Sequence, residues 1–354
     1  MSGASWHDEP ATTVVTGGSG WFGRSFLSAV AEARPGTGPV GRDGEVRVLV
    51  PAPLDVGPVL EALPSARVHV GDVSDPATLD RLLVGAEGAS VVHAAGVIHP
   101  GRVADFDRVN LGGTAAVVAA AQRARARRLV HVSSNSPFGF NATATDVFRH
   151  DEPYDPYLGY GRSKMRTEHL VLAADDPGGL ETVVVRPPWF YGPRQPERQT
   201  LFFRLVRTGR FPVIGDGTQR RSMAYVDNLV QGVALAERVR AAAGQAFWVA
   251  DAQAYPLTDI VATVKQALGE AGLAVSGRQV RLPALAGRVA QRVDARLQAR
   301  GTYHQQMHVL GEMGETIACD VSRTREVLGY QPEVALLEGM RRSVRWCLDQ
   351  GYEI

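Results

Sequence analysis

Eight residues, Thr16-Gly17-Gly18-Ser19-Gly20-Trp21-Phe22-Gly23, limit what this chain can fold into more than any other stretch. They follow a strand-like apolar run, Thr12–Val15, and open a helical pattern from Trp21 to about Ala33. Strand, glycine turn and helix in that order form a dinucleotide-binding signature. Gly17 permits the tight turn, Gly20 lets backbone approach a pyrophosphate, and Gly23 lets helix and strand pack closely. The helix start then offers unpaired N–H groups and a partial positive charge to the phosphates. Ser19, Trp21 and Phe22 share the turn and join the glycines as cofactor-binding candidates.

A second constellation is Tyr160-Gly161-Arg162-Ser163-Lys164. It lies on a segment predicted helical from Asp155-Pro156 to about Ala174, where Asp175-Asp176-Pro177-Gly178-Gly179 breaks the pattern. Tyr160 and Lys164 are four residues apart and so share a helix face. An ammonium beside a phenol favours the phenolate and lowers a pKa that is ordinarily about 10, which makes Tyr160 a candidate acid/base.

The glycine turn, followed at this distance by Tyr-x-x-x-Lys, resembles the short-chain dehydrogenase/reductase superfamily, in particular its extended branch of NAD-dependent epimerases and dehydratases. The resemblance covers nearly the whole chain. Val132-Ser133-Ser134 is similar to the strand end that carries the family's catalytic serine, which implies Ser134, with Ser133 as the fallback. Asn110 in Val109-Asn110-Leu111-Gly112-Gly113-Thr114 matches a further catalytic-site segment. His93-Ala94-Ala95-Gly96 matches the strand end beneath the nicotinamide ribose, and Gly71-Asp72-Val73 the adenine-contacting turn. Arg186-Pro187-Pro188-Trp189-Phe190-Tyr191-Gly192-Pro193 resembles the segment leading into the substrate lobe. Gly215-Asp216-Gly217 with Tyr225-Val226-Asp227-Asn228, then Leu328–Pro332 and Glu338-Gly339-Met340, match as well. The resemblance implies catalytic roles for Tyr160, Lys164, Ser134 and Asn110. It also implies cofactor contacts from Asp72, Val73, Ala94, Ala95, Gly96, Lys164 and Pro187.

The expected fold is α/β, a Rossmann-type doubly wound parallel sheet with a smaller C-terminal α/β substrate lobe. Near-continuous apolar runs at Thr12–Thr16, Val46–Val50, Ala66–Val70, Ser90–Ala94, Leu129–Ser133 and Thr182–Arg186 suit strands buried on both faces. Helical patterns fill the gaps near Trp21–Ala33, Pro76–Val84, Ala104–Ala126 and Pro156–Ala174. Residues 1–10 are expected as a loose tail and 11–188 as the nucleotide-binding domain, with 224–250 returning to it. Residues 189–223 and 251–354 are expected to form the substrate lobe. With 38 basic and 37 acidic residues the net charge is +1, which gives no electrostatic case for nucleic acid or a membrane as partner. The run Arg123–Arg128 is expected to complement a helix C-terminus and face solvent. Cys319 and Cys347 lack metal-ligand spacing, the start shows no signal-peptide pattern, and a cytoplasmic protein with reduced thiols and no metal is expected. Helical faces in 104–126 and 156–174 would suit the paired-helix homodimer common in the superfamily.

The second strand ends at Val50, where an acidic residue would grip the ribose 2′-hydroxyl of NAD, and Pro51 follows where a phosphate-binding arginine often stands. NAD is therefore expected for want of a cation, with NADP open through Arg24, Arg42 or Arg47. On the substrate side, Arg221 occupies the position at which sugar-nucleotide enzymes of the branch bind diphosphate, although Ser222-Met223 departs from their Asp-Phe. Tyr191, Arg194, Ser134 and Asn135 complete the substrate candidates. Arg198, Arg204, Phe190, Phe202, Phe203 and Phe211 are further possibilities. His93 reads as a buried strand-end residue, and His99 as a loop residue able to reach substrate. Asn135-Ser136 replaces the acid pair a dehydratase would use. The leading expectation is thus an NAD-dependent sugar-nucleotide epimerase passing through a transient keto-sugar, with a nucleoside-diphosphate sugar as substrate. The alternative is a 3β-hydroxysteroid dehydrogenase-like or other ketone/alcohol oxidoreductase. A non-catalytic dinucleotide-sensing module is the third reading, and the intact Tyr160, Lys164 and Ser134 set argues against it.

Overall fold

The computed structural model describes residues 5–354. The first half alternates β1 (Thr12–Thr16), α1 (Trp21–Glu32), β2 (Glu45–Val50), α2 (Val56–Ala62), β3 (Arg67–Val70), α3 (Pro76–Leu83), β4 (Ser90–His93), α4 (Gly113–Arg123), β5 (Arg128–Val132), α5 (Leu158–Ala173) and β6 (Glu181–Arg186). Then follow β7 (Trp189–Tyr191), α6 (Glu197–Arg207), β8 (Pro212–Ile214), β9 (Arg220–Tyr225), α7 (Val226–Arg238) and β10 (Gln245–Trp248). The chain ends with β11 (Ala254–Pro256), α8 (Leu257–Glu270), β12 (Val280–Leu282), α9 (Ala284–Ala299), α10 (Gln305–Met313), α11 (Ser322–Leu328) and α12 (Leu336–Asp349).

Seven strands form one parallel sheet in the order β10-β6-β5-β4-β1-β2-β3. The apolar runs of β1, β2 and β4 to β6 are buried on both faces, with α1 and α7 on one side and α3 and α4 on the other. Strand order reverses between β1 and β4, so the loops after these neighbouring strands open a crevice at their carboxyl ends, where α/β folds of this kind bind ligands. The C-terminal lobe is built on small sheets, β11-β9-β7 and β12-β8, with α6, α8 and α12 packed around a separate core. No helix among the described residues is long and apolar enough to cross a membrane.

Several elements differ from their sequence expectation. The helix foreseen over 104–126 is interrupted: Phe106–Gly112 winds as a π-helical turn before α4. Helix α5 begins at Leu158 rather than Pro156, and Leu158 has a left-handed φ of 53°. Of the expected loose tail, residues 1–4 lie outside the described residues, whereas 6–7 are docked. Trp6 bridges Val239, the His7 N–H donates to the Arg238 carbonyl at 2.7 Å, and the His7 ring meets Glu181 at 2.8 Å. Arg128 does not face solvent. Fully buried, it donates to the carbonyls of Ala236 (3.0 Å), Glu237 (3.3 Å) and Val239, and so closes the C-terminus of α7. Part of the tail segment expected in the substrate lobe packs on the main sheet instead: Leu328 and Tyr330 are buried in its core, and the Tyr330 hydroxyl donates to Ala250.

Candidate active site

The glycine turn is shaped by backbone contacts that no side chain could share. Gly17 sits at φ 76°, and a Cβ there would come within 2.6 Å of the Ala95 nitrogen, just past β4. A Cβ on Gly23 would lie 2.3 Å from the Gly17 carbonyl oxygen, so only glycine lets α1 start this close to the turn. Gly18, for which no role was foreseen, is equally constrained, since its Cβ would lie 2.1 Å from Val48 on β2. Gly20 is exposed at the N-cap of α1, and no side chain caps the helix. The first-turn N–H groups therefore remain for a ligand, and the cradle fits a dinucleotide pyrophosphate.

Around this cradle the expected contacts are gathered, with different side-chain roles. Ala94, Ala95 and Gly96 follow β4 directly opposite Gly17, and Ser19 lies half-buried in the turn. The Trp21 indole donates to the Pro193 carbonyl at 2.8 Å, and Phe22 is buried 5.9 Å from Phe26, so both side chains anchor the turn. Asp72 accepts from the Ser74 N–H and hydroxyl, both at 2.8 Å; these bonds hold its carboxyl below the usual range. Val73 packs against Gly113, and Pro187 is buried beyond β6. Two of the three cations that could have reached a 2′-phosphate are committed elsewhere. Arg42 pairs with buried Glu237, and Arg47 donates to the Leu82 and Val84 carbonyls at 3.0 and 2.7 Å. Arg24 donates one amino group to the Arg194 carbonyl at 3.0 Å.

Tyr160 and Ser134 meet at the end of β5. Tyr160 is buried, and desolvation pushes its phenol up to about 12, with the Ser134 hydroxyl acting in the opposite sense. The phenol-lowering effect expected of Lys164 is absent. That ammonium donates to the Val132 carbonyl at 2.8 Å and lies 3.4 Å from the His131 ring, and desolvation lowers it to about 8. Ser133 is turned away into a bond with Glu168, which leaves Ser134 as the hydroxyl beside Tyr160. Ser134 itself lies 3.1 Å from the Ser136 hydroxyl, and the neighbouring Asn135 side chain makes no hydrogen bond among the described residues. Asn110, in the π-helical turn, accepts from the Val97 N–H at 2.8 Å and donates to the Val97 carbonyl and Ser163 hydroxyl, both at 3.1 Å. It braces the loop after β4 against α5.

Glu168 was missed in the sequence, although it continues the Tyr160–Lys164 face at the next four-residue step. Completely buried, it pairs with Arg186 at 2.8 Å, accepts from Tyr154 at 2.8 Å and raises the Lys164 pKa against desolvation. His93 is the buried strand-end residue expected, held by Thr16 at 2.7 Å and Thr114 at 2.9 Å, with burial lowering it to about 3. His99 bonds the Tyr303 hydroxyl at 2.8 Å, and burial lowers it to about 4. Tyr303 and Phe106 complete an aromatic wall beside Tyr160, with ring centroids 5.4 Å apart and Phe106 5.8 Å from Tyr160. Val97 and Val103 pack on the same cluster.

The C-terminal hairpin of α9 and α10 grips the start of the catalytic helix. No side chain of its own caps α5. Instead the Gly159 N–H, one residue before Tyr160, donates to the Gln298 side-chain oxygen at 3.0 Å. Gln298 in turn donates to Asp294 at 2.9 Å, and Asp294 also accepts from His308 at 2.8 Å and from Tyr157 at 3.3 Å. Asp294 is wholly buried, and its hydrogen bond with His308 raises the pKa of that ring against desolvation.

The foreseen substrate residues are less united. Tyr191 is buried in the lobe core with its hydroxyl donated to Asp251 at 2.8 Å. Arg194, at φ 63°, lies beside α1 with Glu32 3.9 Å away, on the nucleotide side of the crevice. Arg221 is buried on β9; its guanidinium donates to the Glu312 carbonyl at the end of α10, in the field of the Glu312 and Glu315 carboxylates. Phe203 and Phe211 are core residues, and Phe190 packs 4.5 Å from Trp21.

Residues 13–250 match the NAD-dependent epimerase/dehydratase family. The chain belongs to that family. It is thus an enzyme of the extended short-chain dehydrogenase/reductase type. An uncharacterised protein of Sinorhizobium fredii is 46% identical over 341 residues, covering 96% of this chain and 95% of the relative. A 4-hydroxy-2-methyl-3-oxo-4-farnesyl-3,4-dihydroquinoline-1-oxide ketoreductase of Stigmatella aurantiaca is 29% identical, covering 93% of this chain and 94% of its own. In fold, the UDP-glucuronic acid 4-epimerase of Bacillus cereus, solved with NAD, superimposes with a TM-score of 0.71 at 20% identity, covering 97% of this chain and 100% of that one.

Proposed function

We propose that the protein interconverts a ketone and its secondary alcohol on a substrate with an apolar body, using NAD. The observation that carries this reading is Arg221. The cation expected to hold a diphosphate is turned into the end of α10, and a diphosphate brought to it would face Glu312 and Glu315. An unpaired phosphate dianion would be costly to enclose there. Beside Tyr160 stands an aromatic and aliphatic wall instead, Phe106, Tyr303, Val97 and Val103.

When bound, the nicotinamide supplies or accepts the hydride. Tyr160 carries its proton at neutral pH because burial disfavours the phenolate, and is suited to donate it to a carbonyl oxygen as that oxygen gains charge. Ser134 hydrogen-bonds the same oxygen. Lys164, kept cationic by Glu168, would hold the cofactor's nicotinamide ribose; Asn110 keeps the loop after β4 in register with α5. The ketoreductase relative is compatible with this chemistry. The test follows NADH consumption with a panel of apolar ketones while UDP, dTDP, GDP and CDP are titrated against the protein saturated with cofactor. Turnover of a ketone with no response to the diphosphates is the expected result.

A second reading, the sugar-nucleotide epimerase, is favoured by Arg198. This exposed cation has no ion pair among the described residues, and its charge helps to lower His99 near the aromatic wall. The fold shared with UDP-glucuronic acid 4-epimerase agrees with it. Inhibition competitive with the ketone, or further thermal stabilisation of the cofactor-saturated protein, by one of these diphosphates would overturn the apolar-ketone reading in its favour.

A further inference from the structure

The overall charge balance conceals a strongly asymmetric surface. Residues 278–300 hold six arginines and a single acid, Asp294, which is buried against His308. All six arginines are exposed, and none makes an ion pair among the described residues. The exposed Asp216 carboxyl, lowered chiefly by hydrogen bonds from Thr218, also feels the charge of Arg281. On α9, Leu285, Arg288, Val289, Arg292 and Arg296 follow at steps of three and four and so share one helix face. The opposite face, with Asp294 and Gln298, is buried against the catalytic helix. Interleaved with the cations are large aliphatic side chains open to solvent: Leu285 is 58% exposed, Val289 48%, and Val280, just before α9, 40%.

We propose that this face docks on an anionic lipid bilayer. Unpaired guanidinium groups are attracted to a negative surface, and aliphatic side chains among them gain by entering the boundary between headgroups and acyl chains. A duplex nucleic acid would satisfy the arginines but leave Leu285 and Val289 against phosphate and water, so the mixed character of the face selects the bilayer. The inference is independent of the substrate reading, because it concerns the side of α9 turned away from Tyr160.

The test uses the full chain in a flotation assay with phosphatidylglycerol–phosphatidylcholine vesicles, and with pure phosphatidylcholine vesicles as control. Binding to the anionic vesicles alone, weakened as added salt shortens the Debye length, is expected. The triple variant R288E, R292E, R296E should bind them on the order of a hundredfold less. L285N with V289N, which keeps every charge, should also bind several-fold less tightly, as removal of inserted aliphatic area requires. Unaltered melting temperature and unaltered turnover of a soluble substrate would show that these variants remain folded. Equal binding to neutral vesicles, no binding to either kind, or binding of an oligonucleotide in preference to vesicles would each overturn the proposal. Salt-sensitive vesicle binding that survives the triple variant would overturn it too, by placing the contact elsewhere.

Discussion

Two regions converge on Tyr160 and hold it by different means. On the nucleotide side the constraint is backbone against backbone. Gly17 presses on Ala95, and Gly23 on Gly17, at distances where no Cβ fits. On the other side, the α9–α10 hairpin reaches the same helix through side chains, from Gln298 to the Gly159 N–H and from Asp294 to Tyr157. The first kind of contact admits one residue type and so leaves a motif. The second needs only an acceptor of the right reach, which many sequences and several helices could supply. The cradle is thus announced by its sequence, whereas the clamp on the catalytic helix has to be read from the fold.

The sharpest way to test that convergence is at its centre. Tyr160→Phe keeps the ring in its aromatic setting and removes the transferable proton. Turnover should fall by about 10²–10⁴-fold with NAD affinity unchanged. A variant retaining more than a tenth of the wild-type rate would move the proton to another group, His99 first.

The clamp should matter less than the phenol, yet visibly. Gln298→Ala leaves the Gly159 N–H without its partner and frees the start of α5, where Leu158 already holds a left-handed φ of 53°. Small displacements of a reacting group cost rate steeply. A roughly ten- to thirtyfold lower kcat is expected, with KM for NAD unchanged. An equal loss in KM for NAD would mean that the hairpin supports the whole crevice rather than the tyrosine.

The parallel sheet and the glycine turn were legible because strand periodicity and forbidden Cβ positions are local properties of sequence, whereas Ser134 beside Tyr160 was implied only by the family resemblance. The hairpin was not, since neither Gln298 nor His308 carries a signal of what it will touch. Lys164 shows the limit within a motif. Helix spacing correctly places it on the face of Tyr160, but its ammonium turns to the Val132 carbonyl, and the phenol pKa rises where spacing alone said it would fall. Arg221 likewise stands at the foreseen position in β9, with a partner, the end of α10, that no motif announces.

Cofactor choice probes the backbone-built side. Arg42 is paired with Glu237 and Arg47 with two carbonyls, whereas Arg24 has no acidic partner among the described residues and donates only to the Arg194 carbonyl. NAD should therefore bind at least tenfold more tightly than NADP, a difference of about 1.4 kcal/mol, in titration calorimetry. If NADP binds equally well and Arg24→Ala abolishes that affinity alone, Arg24 rotates to meet the 2′-phosphate, and the nucleotide side is less rigid than its glycines suggest.

The smallest effect separates the two regions by sign. In the nucleotide half, burial lowers His93 to about 3 and also lowers His131, so the folded state prefers both neutral. Their contribution to stability is complete above the unfolded value of about 6.5 and is lost as pH falls below it toward the folded values. In the hairpin, the hydrogen bond with Asp294 raises His308, so the folded state there prefers the protonated ring. That contribution is complete below about 6.5 and is lost as pH rises through the folded value. Chemical unfolding across this range should show stability declining on both flanks. His308→Gln should cost about 1 kcal/mol or less at acidic pH and flatten only the alkaline flank, leaving the acid flank to the histidines that burial lowers, His93, His131 and His99 among them. An unchanged alkaline flank in that variant would show that Asp294 binds the ring in its neutral form. The hairpin would then grip the catalytic helix without a charge of its own on His308.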